Sequence, residues 1–498
     1  MGVLLWLLYS LLALVTYITY KLYARWNYFK NAGIVYEKPS FLLGNMQGFR
    51  KTQSFSDIFY NFYYKFKGSG PFVGFYFFQK PAAFILDTEL VKNILIKDFS
   101  KFSDRGFYHN ERDDPLSGHL FGLDGQKWRN MRNKLSPTFT SGKMKYMFPT
   151  VVRTGEGFVE VFGEMVKQNA VVEVKEVLAR FTTDVIGTCA FGIECNSLKD
   201  PEAEFRIMGR KALTELRYNT LGIAFINSFP ELSRKLHLKQ TPDHIEELSV
   251  SYREQNGLRC NDFMDLLIDL KNNKLMKSED GEHLTNLTLE ELAAQTFIFF
   301  TAGFETSSST MGFALYELAQ NVVVQQRVRD EVMHVLGKHN QEFSYECMKE
   351  MQYLDQVIAE TMRLHTIVTI LNRQAVVDYV VPGKPSHVIP KGMPVIIPAE
   401  AIHHDPDYYP NPMVFDPERF SPDMVQKRDS IHWLPFGEGP RNCVGLRFGQ
   451  MQTRIGLALL LKNFKFTTCK ETQIPLLYDV QSFLKSTRDG IYLKVERI

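Results

Sequence analysis

Cysteine is scarce in this sequence, with six residues among 498. A disulfide-rich secreted domain needs many closely spaced cysteines, and a zinc ribbon needs C-x-x-C pairs. Neither pattern occurs, so both classes are excluded, and we expect the bulk of the chain to lie in a reducing compartment. The cysteines are Cys189, Cys195, Cys260, Cys347, Cys443 and Cys469.

A strong net charge is also missing. Lysine and arginine together number 58, aspartate and glutamate 56, and the formal net charge is +2. Domains that bind nucleic acids usually concentrate basic residues in a stripe, so this balance argues against that class. Internal repeats and low-complexity tracts are absent too. Phenylalanine, by contrast, is abundant at 39 residues, which predicts large apolar cores or pockets.

Residues 1–20 carry no charged side chain. A helix of that length rises about 30 Å, the thickness of the hydrocarbon core of a bilayer, so we predict a retained transmembrane anchor at 1–20. Lys21, Arg25 and Lys30 precede the first acidic residue, which predicts a lumenal N-terminus and a cytosolic body. A cleaved signal peptide is the alternative, but the segment has no basic n-region and no A-x-A-like site follows it.

The rest of the chain is predicted to be mainly α with small β-sheets. We expect residues 21–45 to form a basic flank and linker with a turn at Lys38-Pro39-Ser40, and residues 46–498 to form one large domain. Hydrophobic periodicity predicts helices from about 90 to 375 and short strands at 71–78, 83–86, 376–381 and 395–397. The clearest helix starts with a capping box at Thr288 and Glu291 and runs for about 30 residues.

Cys443 lies in a glycine-rich loop, FGEGPRNCVG, just before a helical pattern. Backbone N–H groups at a helix start lower the pKa of a thiol and can hydrogen-bond a coordinated sulfur. The glycines allow the backbone to approach a flat macrocycle, and Arg441 can bind a carboxylate with its guanidinium group. A buried structural cysteine is the ordinary alternative, and it suffices for the other five.

This loop resembles the haem-binding signature of the cytochrome P450 family at Phe436, Gly439, Arg441, Cys443 and Gly445. The resemblance implies the P450 fold, haem b as cofactor, Cys443 as the axial iron ligand and monooxygenase chemistry. Stretches such as EKPSFLLGN, FSDRG and LSPTFTSGKMK are similar to insect microsomal members that metabolise xenobiotics.

Glu360 and Arg363 are neighbours on a predicted helix, a spacing common in surface ion pairs. They are similar to the E-x-x-R motif of the family, and with Arg419 in the segment PERF they imply a buried structural network. Trp128 and Arg132 match the W-x-x-x-R element, whose side chains reach haem propionates in the family.

Arg373 is similar to the propionate-binding arginine that follows the E-x-x-R helix. The sequence departs from the family between the two motifs. After Arg363 it reads Leu364-His365-Thr366-Ile367, where relatives usually carry proline. The resemblance therefore does not predict the path from Arg363 to Arg373.

Thr306 follows Glu305 within the long predicted helix. A threonine at this position can simply bond back to the carbonyl of Ala302, a pattern that bends helices. The family resemblance implies an additional role, in which the hydroxyl and the carboxylate supply protons at the oxygen site.

The resemblance further implies NADPH-cytochrome P450 reductase as electron donor, with cytochrome b5 as a second candidate partner. The enzyme would lie in the endoplasmic reticulum membrane with its catalytic domain on the cytosolic face. Lys127, Arg129 and Lys134 are candidates for the docking side, although they could also form an ordinary solvated helix face. The candidate pocket residues are His119, Phe121, Phe297, Phe300, Ala302, Val368, Thr369, Ile370, Phe483 and Leu484.

Three functions stay open on this basis. The first is a monooxygenase acting on lipophilic compounds, favoured by the pair Glu305 and Thr306. The second is a haem-thiolate isomerase or dehydratase that needs no O₂, and the third is a non-catalytic membrane-bound carrier of haem or ligand. The substrate does not follow from the sequence.

Overall fold

The computed structural model of the chain describes residues 2–192, 195–243 and 287–498. Helices dominate these residues and the sheets are small, which confirms the predicted fold class. Cys260 and the predicted helical region at 244–286 lie outside the described residues.

The helices are α1 Gly2–Trp26, α2 Tyr28–Asn31, α3 Phe55–Phe66, α4 Thr88–Lys92, α5 Gly125–Leu135, α6 Ser141–Gln168, α7 Val174–Phe191, α8 Glu204–Thr214, α9 Thr220–Ser228, α10 Pro230–Lys235, α11 Leu289–Gln320, α12 Val322–Lys338, α13 Cys347–Glu350, α14 Gln352–Leu364, α15 Ala399–His403, α16 Pro422–Lys427 and α17 Leu446–Asn463. The strands are β1 Phe72–Phe77, β2 Lys80–Ile85, β3 Val171–Glu173, β4 Leu371–Gln374, β5 Tyr379–Val381, β6 Lys384–Ile389, β7 Pro394–Ile397, β8 Phe464–Thr467 and β9 Tyr492–Arg497.

The chain folds into two compact units, and the range predicted as one catalytic domain contains residues of both. The first unit comprises Met1–Tyr108, Tyr218–Leu238 and Ile370–Pro398. The second comprises His109–Arg217, Lys239–Thr369 and Ala399–Ile498.

The first unit is built on a sheet with strand order β1-β2-β7-β4. Strands β2 and β7 run parallel, whereas β1 and β4 are antiparallel to their neighbours. Phe62 of α3 packs on this sheet, its ring centre 4.9 Å from that of Phe75 and 4.8 Å from that of Phe84. Strand β2 starts at Lys80, three residues earlier than predicted. Proline lacks a backbone N–H group, but Pro81 is tolerated here because it pairs only with β1, and the pairing with β7 begins later, at Ala83.

Among the described helices, α1 is long and apolar enough to cross a membrane, and its apolar segment is fully exposed. Its 25 residues span about 37 Å. The predicted linker is packed against the sheet at several points. The Trp26 indole donates to Gln79 at 2.8 Å, the Gly74 amide donates to the Val35 carbonyl at 2.8 Å, and Phe29 is fully buried.

The second unit is organised around α11, which begins with the predicted capping box at Thr288 and Glu291 and has 32 residues. Helices α7 and α17 cross it closely because glycines lie at the crossings. A Cβ atom at Gly303 would come within 2.9 Å of Ile186 of α7, and one at Gly456 of α17 would come within 2.6 Å of the Met311 sulfur. A three-stranded sheet with order β3-β9-β8 completes this unit.

Two adjacent histidines, His403 and His404, are buried at the end of α15. The Nε2 atom of His403 accepts the Leu434 amide at 2.7 Å, and Nε2 of His404 lies 3.0 Å from the Leu364 carbonyl. Burial lowers the pKa of both, and that of His404 falls to about 4. Both imidazoles are therefore neutral in the folded protein near pH 7.

This burial predicts acid lability. The His404 pKa is lowered from 6.5 to about 4, so unfolding takes up a proton and stability falls as pH drops through that window. Between about pH 7.5 and about pH 5, His404 should account for a loss of about 2 kcal/mol in the free energy of unfolding. Urea unfolding of His404→Gln should therefore show a smaller loss than the wild type. Exposed His334 provides the control variant His334→Gln, and an equal acid loss in wild type and His404→Gln would contradict the assignment.

Candidate active site

The Cys443 loop has a backbone shape that its glycines permit. Gly437 and Gly439 have φ angles of 68° and 75°, in the left-handed region. The loop closes where the Cys443 amide donates to the Phe436 carbonyl at 2.8 Å. Cys443 is exposed and precedes the first residue of α17 by three positions. The loop therefore presents the thiol outward next to a helix start.

Helix α5 holds the residue before the cysteine. Arg132 donates to the Asn442 carbonyl and to the Asn442 side-chain oxygen, both at 2.8 Å. Burial lowers the pKa of Arg132, and negative charge on Cys443 opposes that shift. The guanidinium group is thus close enough to the thiol to favour its thiolate form. The sequence contains no local signal for the role of Asn442.

Trp128 lies one turn before Arg132 on α5 and is buried. The Arg441 guanidinium carbon lies 4.5 Å from the centre of its ring. Arg441 also pairs with Asp124 at 3.3 Å and donates to the Leu123 carbonyl. The structure therefore brings Trp128, Arg132 and Arg441 together beside Cys443. Arg373 lies in the first unit, buried on β4, and donates to the carbonyl of its neighbour Asn372 at 2.8 Å.

Glu360, Arg363 and Arg419 form a buried cluster. Arg363 donates to the two Glu360 oxygens at 2.7 and 2.8 Å, and both side chains are 0% exposed. Arg419 lies 3.4 Å from Glu360, and the Asp416 amide donates to the same carboxylate at 3.0 Å. Burial raises the pKa of Glu360, while Arg363 and Arg419 oppose the shift. This cluster ties α14 to the segment that leads to the Cys443 loop.

Thr306 and Glu305 lie in the middle of α11. The Thr306 hydroxyl donates to the Ala302 carbonyl at 2.8 Å, the back-bond that its sequence position allows. The Glu305 carboxylate pairs with Lys175 of α7 at 3.0 Å and accepts the Ser309 hydroxyl at 3.3 Å. Lys175 also bonds the Ser486 hydroxyl. Lys175 was not among the predicted site residues because nothing near it in sequence points to α11.

The candidate pocket residues have varied surroundings. Phe300 is 5% exposed and its ring centre lies 4.2 Å from that of Phe205, so it fills the contact between α11 and α8. Phe297 packs against Leu116 and Ala293. More accessible positions are Ala302 on α11, Phe121, and Phe483 near the C-terminus. The remaining positions are half-buried His119, Val368 and Leu484, buried Thr369, and buried Ile370, which belongs to the first unit.

The basic residues of α5 divide into two groups. Lys127 and Arg129 are exposed, and Lys127 pairs with Glu111 at 2.8 Å. Lys134 is only 5% exposed, so its prediction as a docking residue is wrong. It packs on the buried face of the helix with Met131 and Leu135, because a long aliphatic stem can cover apolar surface.

The comparisons with known proteins agree with this geometry. The profile of the cytochrome P450 family matches residues 36–494. The chain belongs to the cytochrome P450 family. It is 60% identical to a "Probable cytochrome P450 6a21" and 58% identical to "Cytochrome P450 6a9", both from Drosophila melanogaster, over 99% and 100% of each chain. It is 50% identical to "Cytochrome P450 6A1" of Musca domestica, over 99% of this chain and 98% of that relative.

This P450 is therefore a monooxygenase of the insect branch of its family, with the mainly helical P450 fold that the sequence predicted. The family binds haem, and the residues present fit that group. An exposed thiol beside a guanidinium group suits a thiolate ligand of iron, and arginines with a buried tryptophan suit a flat ring that bears carboxylates. Helix α1 is the candidate membrane anchor.

The buried cluster predicts a severe defect in Glu360→Ala. That change leaves Arg363 and Arg419 without their carboxylate, and breaking a buried pair costs about 3–5 kcal/mol. We expect little haem-loaded protein and a lowered thermal midpoint, measured as haem per chain and by calorimetry.

The matched control is Glu418→Ala, because Glu418 pairs with Arg327 at the surface, where both side chains are about half exposed. Surface pairs contribute about 0–1 kcal/mol, so this variant should load haem normally. Normal haem content in Glu360→Ala would show that the cluster does not support the site.

Proposed function

We propose that this P450 inserts one oxygen atom from O₂ into lipophilic substrates, using NADPH electrons delivered by NADPH-cytochrome P450 reductase. The observation that carries the proposal is the exposed Cys443 thiol, held beside Arg132 in a closed loop, in a chain that also retains the acid and alcohol pair of α11. Cytochrome b5 is a second candidate electron partner.

Cys443 would supply the thiolate ligand of the haem iron. Trp128, Arg132, Arg373 and Arg441 would bind the carboxylate groups of haem b, and Phe436 borders the ligand loop. When bound, haem would supply O₂ activation, and a thiolate ligand would favour cleavage of the O–O bond. The fixed hydrogen bonds of Asn442 and of the Cys443 amide keep the sulfur in one position, since outer partners orient metal ligands.

Thr306 and Glu305 are the proton-handling residues in this proposal. The Thr306 hydroxyl donates to the Ala302 carbonyl, and its oxygen keeps lone pairs that can accept a proton. Glu305 is adjacent in sequence and ionically bound to Lys175. A hydroxyl and a carboxylate at hydrogen-bonding range of a reacting group are typical of proton supply in enzymes.

The proposed membrane location is supported by α1 and its flank. Basic residues 21, 25 and 30 on the C-terminal side of the apolar helix favour a cytosolic catalytic body, here on the endoplasmic reticulum. Exposed Lys127 and Arg129 are available for an acidic electron-transfer partner. The aromatic and aliphatic candidates near α11 favour lipophilic substrates, including xenobiotics, plant toxins, insecticides and endogenous hormones.

Thr306→Ala tests the function. Reconstituted with reductase in phospholipid membranes, wild type should convert the compound that gives the largest binding difference spectrum among plant toxins, insecticides and steroids. Thr306→Ala should still consume NADPH, with product per NADPH lowered about tenfold or more because a proton-handling group is lost.

Thr310→Ala is the matched control, since Thr310 makes the same back-bond to Thr306 one turn further along, at 2.8 Å. Thr310→Ala should keep the wild-type ratio of product formed to NADPH consumed. Equal product without reductase and NADPH would instead identify an isomerase or dehydratase, and ligand binding without either NADPH consumption or product would identify a carrier.

A further inference from the structure

Residues 478–487 form a hairpin near the C-terminus that carries Phe483 and Leu484 at its tip. Tyr478 and Thr487 pair across its base, and the Asp479 amide donates to the Ser486 carbonyl at 2.8 Å. Phe483 is 47% exposed. We call this segment the C-terminal hairpin.

One side of the hairpin base is held by a buried histidine. His365, immediately after α14, is 5% exposed, and its Nδ1 atom lies 3.0 Å from the Tyr478 hydroxyl. Its Nε2 atom lies 2.7 Å from the carboxylate of Glu317 on α11. The ring stacks on Phe313 with centres 4.6 Å apart. Because a carboxylate only accepts, Nε2 donates to Glu317 and Nδ1 accepts from Tyr478.

The neutral form of His365 suffices for both bonds. Burial lowers its pKa, and Glu317 opposes the shift. A neutral ring with the proton on Nε2 has one donor and one acceptor, which match Glu317 and Tyr478. This order of donors fixes the Tyr478 hydroxyl in one direction.

The other side of the base is held by an ion pair. Lys485 pairs with Glu400 of α15, with side chains 6% and 4% exposed. The Lys485 ammonium also lies 4.2 Å from the centre of the Tyr478 ring. The Lys485 amide donates to the Ile367 carbonyl at 2.9 Å, and the Glu400 amide donates to the Thr369 carbonyl at 3.1 Å. Hence the hairpin and the candidate pocket segment 367–369 share one set of anchors.

We propose that Glu317, His365, Tyr478, Lys485 and Glu400 form a positioning cluster that sets where Phe483 and Leu484 stand relative to segment 367–369, and so determines which substrate shapes fit. The inference rests on the proposed haem monooxygenase function. The five residues come from α11, the end of α14, α15 and the hairpin, so the cluster joins the elements that bear the pocket candidates. In this proposal none of the five is assigned a contact with a reacting atom. They act through the hairpin tip.

One member of the cluster, His365, lies in the segment that departs from the family after Arg363. His365 and the residues after it take the chain into buried hydrogen bonds with α11 and the hairpin. A proline at 366 or 367 would fix φ near −65°. Thr366 instead uses its hydroxyl, which lies 2.7 Å from Nδ1 of His403.

Two nitrogen ligands of haem iron test the proposal on the full-length chain in phospholipid nanodiscs. Imidazole is small, whereas 4-phenylimidazole extends into the surrounding pocket, so the ratio of their dissociation constants reports pocket shape without turnover. Tyr478→Phe removes one hydroxyl. It should weaken 4-phenylimidazole binding about fivefold, the scale of one hydrogen bond, with imidazole binding unchanged.

His365→Phe keeps an aromatic ring at this position but removes both hydrogen bonds, and it should also weaken 4-phenylimidazole binding relative to imidazole binding. Phe483→Ala at the tip should have the same effect. Tyr492→Phe, at an exposed position of β9, is the matched control and should behave as wild type. Hydrogen exchange at the Lys485 amide should accelerate in Tyr478→Phe, with or without haem.

Unchanged ratios in Tyr478→Phe and His365→Phe would overturn the positioning role, and so would an unchanged ratio in Phe483→Ala. These results leave the haem assignment intact. An absent imidazole difference spectrum in the wild type would overturn the haem site itself and this inference with it, so the two failures are distinguishable.

Discussion

The position of the Cys443 sulfur depends on hydrogen bonds made by the Cys443 backbone and by the neighbouring residue Asn442. The Cys443 amide is held by the Phe436 carbonyl, and Asn442 is held by Arg132 through both of its oxygens. A metal ligand needs this kind of outer support, because a bond to a metal has a fixed length and direction. The rest of the site follows from that constraint. Helix α5 must present Arg132 to the loop, and Arg441 must turn back toward α5.

Helix α14 connects two buried polar clusters. Glu360 and Arg363 lie within it, and His365 follows its last residue. Buried charges cost desolvation energy, and apolar residues often stabilise a core as well or better. We therefore infer that such clusters contribute more to a fixed geometry than to the free energy of unfolding. One cluster fixes the segment leading to the Cys443 loop, and the other fixes the C-terminal hairpin. In the proposed site, this short helix relates the Cys443 loop to the C-terminal hairpin.

The features that sequence predicted well are local. The capping box at Thr288, the shared helix face of Trp128 and Arg132, and the pair Glu360 and Arg363 each depend on spacings of three or four residues. The missed features join distant segments. Arg132 and Asn442 are 310 residues apart, and Lys175 meets Glu305 from another helix. The linker and Lys134 show a further limit of prediction from sequence. Turn residues in the linker do not reveal that it packs on a sheet, and the charge of Lys134 does not reveal that its side chain is buried.

The thiolate assignment of Cys443 is the central claim, and the spectrum of the reduced carbon monoxide complex tests it most directly. Serine in place of Cys443 keeps the size of the side chain but removes the sulfur. We predict that Cys443→Ser lacks the thiolate-type Soret band, while Cys469→Ser, a change outside the loop, retains it. An unchanged thiolate-type band in Cys443→Ser would contradict the account.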